Sequence, residues 1–154
     1  MTIKETAGKI LLVLYFMQVD NPSKLEYEQV IFRTTSKPKL DTSSKLKTTL
    51  HEINSDDAAL YNGFRYLLDK GIIAKRNTKD AMGAMFLIGP HLTSEGIDLV
   101  ESVEQGEESQ KVVKALFNFN FKFSPTMKVD SLVKAEVGNI VGIGGAVSGK
   151  ASLK

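Results

Sequence analysis

SDDAALYNGFRYLLDKGIIAKRNTKDAMGAMFLIGPHLTSEGIDLV, residues 55–100, is the stretch of sequence that decides the fold. It predicts a helix, a strand, a polar connection, a second strand and a second helix. Ser55, Asp56 and Asp57 supply an N-cap and first-turn carboxylates, which satisfy free N–H groups and suit the positive end of the helix dipole. The apolar positions that follow recur at helical spacing and form one stripe: Leu60, Phe64, Leu67 and Leu68.

The later junctions of this stretch carry signals of their own. Gly71 stands where a glycine lets the chain turn out of a helix. Residues 72–76 and 84–88 are predicted strands on either side of a polar connection at 77–83. Thr93 caps the last helix. The pattern therefore predicts a helix followed by a β-hairpin and another helix.

This order of elements resembles the second half of a winged helix-turn-helix domain. The run LLDKGIIAKR, the hairpin and LTSEGIDLV carry the resemblance, which covers residues 43–104. MFLIGPHLTSEGIDLV is also similar to the LGP-x-LT-x-x-G run of small YjcQ-like winged-helix proteins of phage and prophage, with Ile88 in place of leucine. The resemblance, which extends to MarR-like regulators, implies that the helix before Gly71 is a recognition helix and that the hairpin is the wing.

The N-terminal segment is predicted to be a helix over residues 3–19. Thr2 and Glu5 form a capping box at its start. From Ile10 onward the helix is apolar over most of its circumference. A helix of this kind is normally buried on more than one side. We expect it to pack on its own domain and on a second subunit, which makes the protein a homodimer. The alternative is a central core helix in a monomer.

Between this helix and the stretch that decides the fold, the chain is predicted to be helical in two places. Residues 24–34 form a second amphipathic helix, and residues 36–39 form a basic linker that Pro38 keeps out of helix. Residues 43–52 form a short helix. Only a turn at Asn54 separates it from the next helix, which is the spacing of a helix-turn-helix.

The C-terminal part of the chain differs in composition. Residues 107–114 are predicted to be a linker between a winged-helix domain, 1–106, and an extension, 115–154. Phenylalanines alternate with polar residues at the start of the extension: Phe117, Phe119, Phe121 and Phe123. Period two predicts a strand with one apolar face, which covers the domain, pairs in a dimer or binds a protein partner. A short helix and a glycine-rich tail follow.

Composition favours a binding protein over an enzyme. The 154 residues include 20 basic and 18 acidic side chains and no cysteine, which excludes disulfides and thiolate zinc sites. His51 and His91 have no second ligand at metal spacing. In the tail, Ala151 replaces the hydroxyl residue that a phosphate-binding loop requires. We therefore expect no cofactor and no catalytic site. The apolar run at 10–17 is too short to span a bilayer and lacks a cleavage signal, so we expect a cytoplasmic protein.

Basic residues indicate a surface for double-stranded DNA. They occur before and within the first helix of the pair, on the recognition helix beside Tyr61 and Asn62, and near the wing: Lys37, Lys39, Lys45, Lys47, Arg65, Lys75, Arg76 and Lys79. The lysines suit phosphates, Asn62 suits adenine, and Arg65 suits guanine or a phosphate. Arg76 and Lys79 suit the minor groove or the backbone. Asp56 and Asp57 argue against this surface, because they lie at the end of the helix that enters the groove.

Two functions from different classes remain open. The first is a dimeric transcriptional regulator of a bacterium, phage or plasmid, bound to an operator. The second is a winged-helix module for protein interaction or oligomerisation that does not bind DNA. The predicted fold alone does not decide between them. Basic clusters that share one face favour the first function, and an acidic 93–110 segment on that face favours the second.

Overall fold

A computed structural model describes residues 1–33, 37–74 and 84–121 of the chain. This part of the protein is mainly helical and contains small antiparallel sheets. In chain order its elements are α1 (Ile3–Asp20), α2 (Pro22–Glu26), β1 (Gln29–Arg33), β2 (Lys39–Asp41), α3 (Ser44–Ile53), α4 (Asp57–Asp69), β3 (Ile73–Ala74), β4 (Ala84–Ile88), β5 (His91–Leu92), α5 (Ser94–Glu101), a 3₁₀ turn (Ser102–Gln105) and α6 (Glu107–Phe117).

Helix α1 is the centre of the core. Its capping box is confirmed: the Glu5 amide donates to Thr2 Oγ1 and the Thr2 amide donates to Glu5 Oε1. Every residue from 6 to 14 is buried, and α4, α6 and β5 of the same chain pack around the helix. The alternative interpretation, a central core helix, accounts for this segment. The apolar circumference of α1 therefore gives no support to the predicted homodimer.

The helix predicted over residues 24–34 is wrong. Helix α2 ends at Glu26, and β1 pairs antiparallel with β2 on one side and with β4 on the other. Val30 and Phe32 are buried while Gln29 and Arg33 are exposed, so the segment follows the period of a strand. Strand β2 also occupies part of the predicted linker. Pairing on both edges outweighs the helical spacing of the apolar residues.

Helices α3 and α4 form the predicted pair. Three residues, 54–56, separate them. Asp56 is the N-cap of α4, because its Oδ1 accepts the Ala58 amide at 3.0 Å. The apolar stripe is confirmed at Leu60, Phe64 and Leu67, which are fully buried. Gly71 has a φ of 70°, a conformation that glycine adopts without strain, and it ends the segment as predicted.

The predicted wing hairpin needs correction. Strand β3 pairs with β5, with Ile73 opposite Leu92, whereas β4 pairs with β1. The two predicted strands therefore belong to different sheets, and the bend at Gly89-Pro90 lies between β4 and β5. The predicted connection at 77–83 lies outside the described residues. The chain shows antiparallel sheets that include the β1–β2 hairpin, and a wing is not among its described elements.

Helix α5 begins at the predicted cap. Thr93 Oγ1 accepts the Gly96 amide at 3.1 Å and donates to the carbonyl oxygen of Gly71 at 2.8 Å. It thereby joins the start of α5 to the end of α4. Gly96 is required here, since a Cβ at this position would lie 2.2 Å from the Ile72 carbonyl oxygen. Packing at this junction holds the two helices at a fixed separation.

Residues 107–114, predicted to be a linker, lie within a helix, and the predicted phenylalanine strand is wrong in its described part. Residues 107–117 form α6, which ends at Asn118 in the left-handed conformation. Phe117 and Phe121 are buried and stack with centroids 5.2 Å apart, and the half-buried Phe119 packs with Phe121. The turn at Asn118 folds the phenylalanines back onto α1 at Gly8. Phe123, the short helix predicted after it and the tail lie outside the described residues.

Candidate nucleic-acid interface

The solvent face of α4 carries two of the predicted base-reading residues. Asn62 and Arg65 are exposed, on the side of the helix opposite the buried stripe. Ala58, four residues before Asn62, is half-buried, and Asp69, four residues after Arg65, is exposed. These positions follow the i, i+4, i+7 spacing of one helical face. Asn62 and Arg65 are therefore exposed as predicted, and the face that they share carries one carboxylate at its C-terminal end.

Tyr61 lies at the edge of this face rather than at its centre. Its ring packs edge-on against Phe32 of β1, with centroids 5.5 Å apart, and the residue is half-buried. Phe32 also contacts Phe64, at 5.7 Å. Tyr61 therefore packs α4 against the sheet. Only the exposed part of the Tyr61 side chain is accessible for the predicted contact with DNA.

The lysines predicted to contact phosphate are mostly at the surface. Lys37, Lys39 and Lys45 are exposed and Lys47 is half-buried. Arg33, on the neighbouring strand, forms an exposed ion pair with Asp41 at 3.5 Å, which neutralises one charge of this region. Lys75, Arg76 and Lys79 lie outside the described residues. The structure therefore describes the basic residues at 37–47, whereas those predicted near the wing, at 75–79, lie outside it.

Asp57, at the N-terminal end of α4, is engaged by its own protein. Its Oδ2 accepts the Leu40 amide of β2 at 3.0 Å, and its Oδ1 lies 2.6 Å from His51 Nε2 of α3. Partial burial acts to raise the pKa of Asp57, but the hydrogen bonds from Leu40 and His51 and the charges of His51 and Lys47 outweigh it and lower the pKa. The carboxylate therefore joins three elements.

This cluster was not predicted from the sequence. His51 was considered only as a metal ligand, because a lone histidine carries no spacing signal. Its position six residues before Asp57, across a short turn, was the available indication. The contact with Leu40, 17 residues from Asp57, depends on the β1–β2 hairpin, which was not predicted.

The other flank of α4 contacts α6. The Tyr66 hydroxyl donates to the Leu116 carbonyl oxygen at 2.8 Å, and burial raises the pKa of the Tyr66 phenol. Glu107 and Glu108 lie at the opposite end of α6, about 12 Å from Leu116 at 1.5 Å per helical residue. These two acidic residues therefore lie away from the point where α6 meets α4.

Comparison with known proteins leaves the site to be judged on its own geometry. No family model, curated protein or solved structure matches the chain. In ranges 1–33, 37–74 and 84–121, no group of three or more His, Cys, Asp or Glu side chains is placed to hold a metal ion. Within the same ranges, no helix is long and apolar enough to cross a membrane.

Proposed function

We propose that this protein binds double-stranded DNA through α4 and acts as a dimeric transcriptional regulator. The observation that carries the proposal is the exposure of Asn62 and Arg65 on the second helix of a pair separated by three residues. An asparagine amide can pair with adenine and a guanidinium with guanine in the major groove. The spacing of α3 and α4, which resembles that of a helix-turn-helix, supports the same function.

The charges around α4 support phosphate contacts. Leu40 is held against the N-terminal end of α4 by Asp57, and its neighbour Lys39 is exposed. Lys37 and Lys45 add exposed cations on the adjoining hairpin and helix. Lysines in such positions supply affinity that does not depend on sequence and that falls with salt. Because Asp57 is bound by Leu40 and His51, its carboxylate opposes DNA less than its sequence position indicated.

The protein-interaction module is the second function considered. Its support was the phenylalanine strand, and Phe117 and Phe121 are buried by their own chain. Those two residues therefore do not present a partner-binding face. A partner bound through Phe123 and the tail stays a prediction. DNA binding has more support among the described residues.

Substitution of Arg65 tests the proposal. We expect Arg65→Ala to weaken binding of duplex DNA by about 1–3 kcal/mol, roughly 5-fold to 150-fold, and the further change Arg76→Ala to abolish it. Binding is measured by fluorescence anisotropy at two salt concentrations. The labelled duplexes are of two kinds, one of random sequence and one from the region upstream of the gene that encodes the protein.

Lys111→Ala is the matched control, since Lys111 is an exposed cation on α6. We expect this variant to bind as the wild type does. Circular dichroism checks that all variants are folded. Equal affinity of wild type and the double variant, or no binding by the wild type even at low salt, would contradict the proposal.

A further inference from the structure

His51 and Asp57 form a polar contact at the turn between α3 and α4. Their side chains are 32% and 20% exposed, so water and small ions reach the pair while neighbouring groups restrict it. The 2.6 Å contact lies at the N-terminal end of α4, the end of a recognition helix that contacts bases in helix-turn-helix proteins. Any change in the charge of His51 therefore occurs beside the proposed DNA surface.

The charged groups around His51 come from three elements. Asp57 faces it from α4, and Lys47, one turn earlier on α3, acts on the same carboxylate. Strand β2 contributes the uncharged Leu40 amide, which is flanked by the exposed Lys39 and Asp41. With a neutral imidazole, Lys47 and Asp57 cancel each other. With a protonated imidazole, the three side chains carry one net positive charge.

We propose that DNA binding is coupled to proton uptake at His51, so that the protein binds duplex DNA more tightly as the pH falls. This inference rests on the proposed DNA-binding function. Phosphates near the N-terminal end of α4 favour the protonated imidazole, because protonation adds a positive charge at an end of the helix that also carries the carboxylates of Asp56 and Asp57. By linkage, a proton bound more tightly in the complex strengthens DNA binding by the same factor.

The sign follows from the two protonation states. The gain in affinity is present at low pH, where the imidazole carries its proton, and is lost at high pH, where the imidazole is neutral. Salt reduces the effect because the pair is partly exposed.

A purely structural contact between His51 and Asp57 makes a different prediction. It changes the stability of the α3–α4 turn and leaves the pH dependence of DNA affinity unaltered. His51→Gln separates the two roles, since glutamine keeps a donor near Asp57 but does not titrate. His51→Lys is the complementary variant, because it keeps a positive charge throughout the interval.

The experiment measures the dissociation constant of a labelled random-sequence duplex at about pH 5.5 and about pH 8, at a constant ionic strength of about 0.1 M. We expect the wild type to bind about threefold to tenfold more tightly at the lower pH. His51→Gln is expected to lose this difference, and His51→Lys to bind tightly at both values. His91→Gln is the matched control, since His91 lies in β5 and contacts the Gly89 carbonyl oxygen; it should keep the wild-type difference.

Each outcome bears on a named proposal. A pH difference that survives in His51→Gln, or a wild type that binds equally at both pH values, overturns the proton coupling and leaves DNA binding intact. Absence of binding at both pH values, even at low salt, overturns the proposed function and the coupling together. Thermal unfolding of each variant confirms that the comparison is made between folded proteins.

Discussion

At the scale of single residues, Asp57 shows how a side chain can have a different role from the one its position indicates. Its place in the first turn of α4 indicated a helix-dipole partner and an obstacle to DNA. In the structure its two oxygens serve different elements, with Leu40 of β2 at one and His51 of α3 at the other. The neighbouring Asp56 provides the cap. Asp57 therefore stabilises the arrangement that exposes Asn62 and Arg65.

The pH dependence of stability tests this role of Asp57. A carboxylate whose pKa is lower in the folded protein stabilises the fold at pH values above its unfolded pKa, about 3.9, and this contribution is lost as the pH falls through the folded value. We expect Asp57→Asn to cost about 1–3 kcal/mol at neutral pH, because a hydrogen bond to a charged group is weakened.

The same substitution should also reduce the loss of stability between about pH 5 and about pH 2.5, since one linked carboxylate is removed. Urea unfolding at several pH values measures both effects. An equally steep loss of stability in wild type and Asp57→Asn would show that Asp57 is not one of the linked groups.

At the scale of elements, local signals identified the helices that have caps. Helix α1 has its capping box at Thr2, α4 has Asp56 and α5 has Thr93, and each begins at or within two residues of the predicted start. Such signals involve hydrogen bonds between residues a few positions apart, which a sequence displays directly. They located the starts of α1, α4 and α5.

Two elements depended on contacts that the sequence does not display. Strand β1 is stabilised by β4, with Val30 opposite Leu87, and residues 24–34 also fit a helical spacing when taken alone. Helix α6 buries little beyond Val113 and Phe117, so its polar remainder resembled a linker. In both cases distant partners decide the conformation, and tertiary packing outweighs local pattern.

The C-terminal end of α6 provides a test at this scale. Phe117 is fully buried, stacks on Phe121 and meets Tyr66 edge-on with centroids 6.2 Å apart. We expect Phe117→Ala to lower the free energy of unfolding by about 3–5 kcal/mol, since it removes a large side chain and leaves a cavity. Denaturant unfolding of the full chain measures this.

Asn120→Ala is the matched control, because Asn120 is exposed between the same phenylalanines; it should change stability by about 0.5 kcal/mol or less. A Phe117→Ala variant as stable as the control would contradict the contribution of this side chain to the core. Deleting residues 115–154 would remove core side chains as well as the tail, so its effect on assembly would not report on the tail alone.

At the scale of the whole molecule, α1 determines how the site is built. Helix α4 packs along it, with Gly63 against Ile10, and α6 covers another side with Phe117 and the following turn against Gly8. The face of α4 opposite α1 is consequently the one that carries Asn62 and Arg65. Sequence periodicity was sufficient to predict that face. It was insufficient for Tyr61 and His51, whose positions depend on β1 and on the turn between helices.

The covered surface of α1 also bears on the predicted dimer. An apolar helix left open by its own chain would make folding depend on association, and the thermal midpoint would then rise with protein concentration. Because residues 6–14 are buried within one protomer, we expect the protomer to remain folded at concentrations at which it is monomeric, with a midpoint that is constant within about 1 °C over that range. Calorimetry measures the midpoint, and sedimentation velocity at the same concentrations reports the oligomeric state. A folded monomer at low concentration would mean that α1 is completed by its own chain, and that a dimer, which raises the midpoint with concentration whichever surface it uses, forms between folded protomers. Loss of folding at every concentration at which the dimer dissociates would mean that α1 is completed by a second subunit.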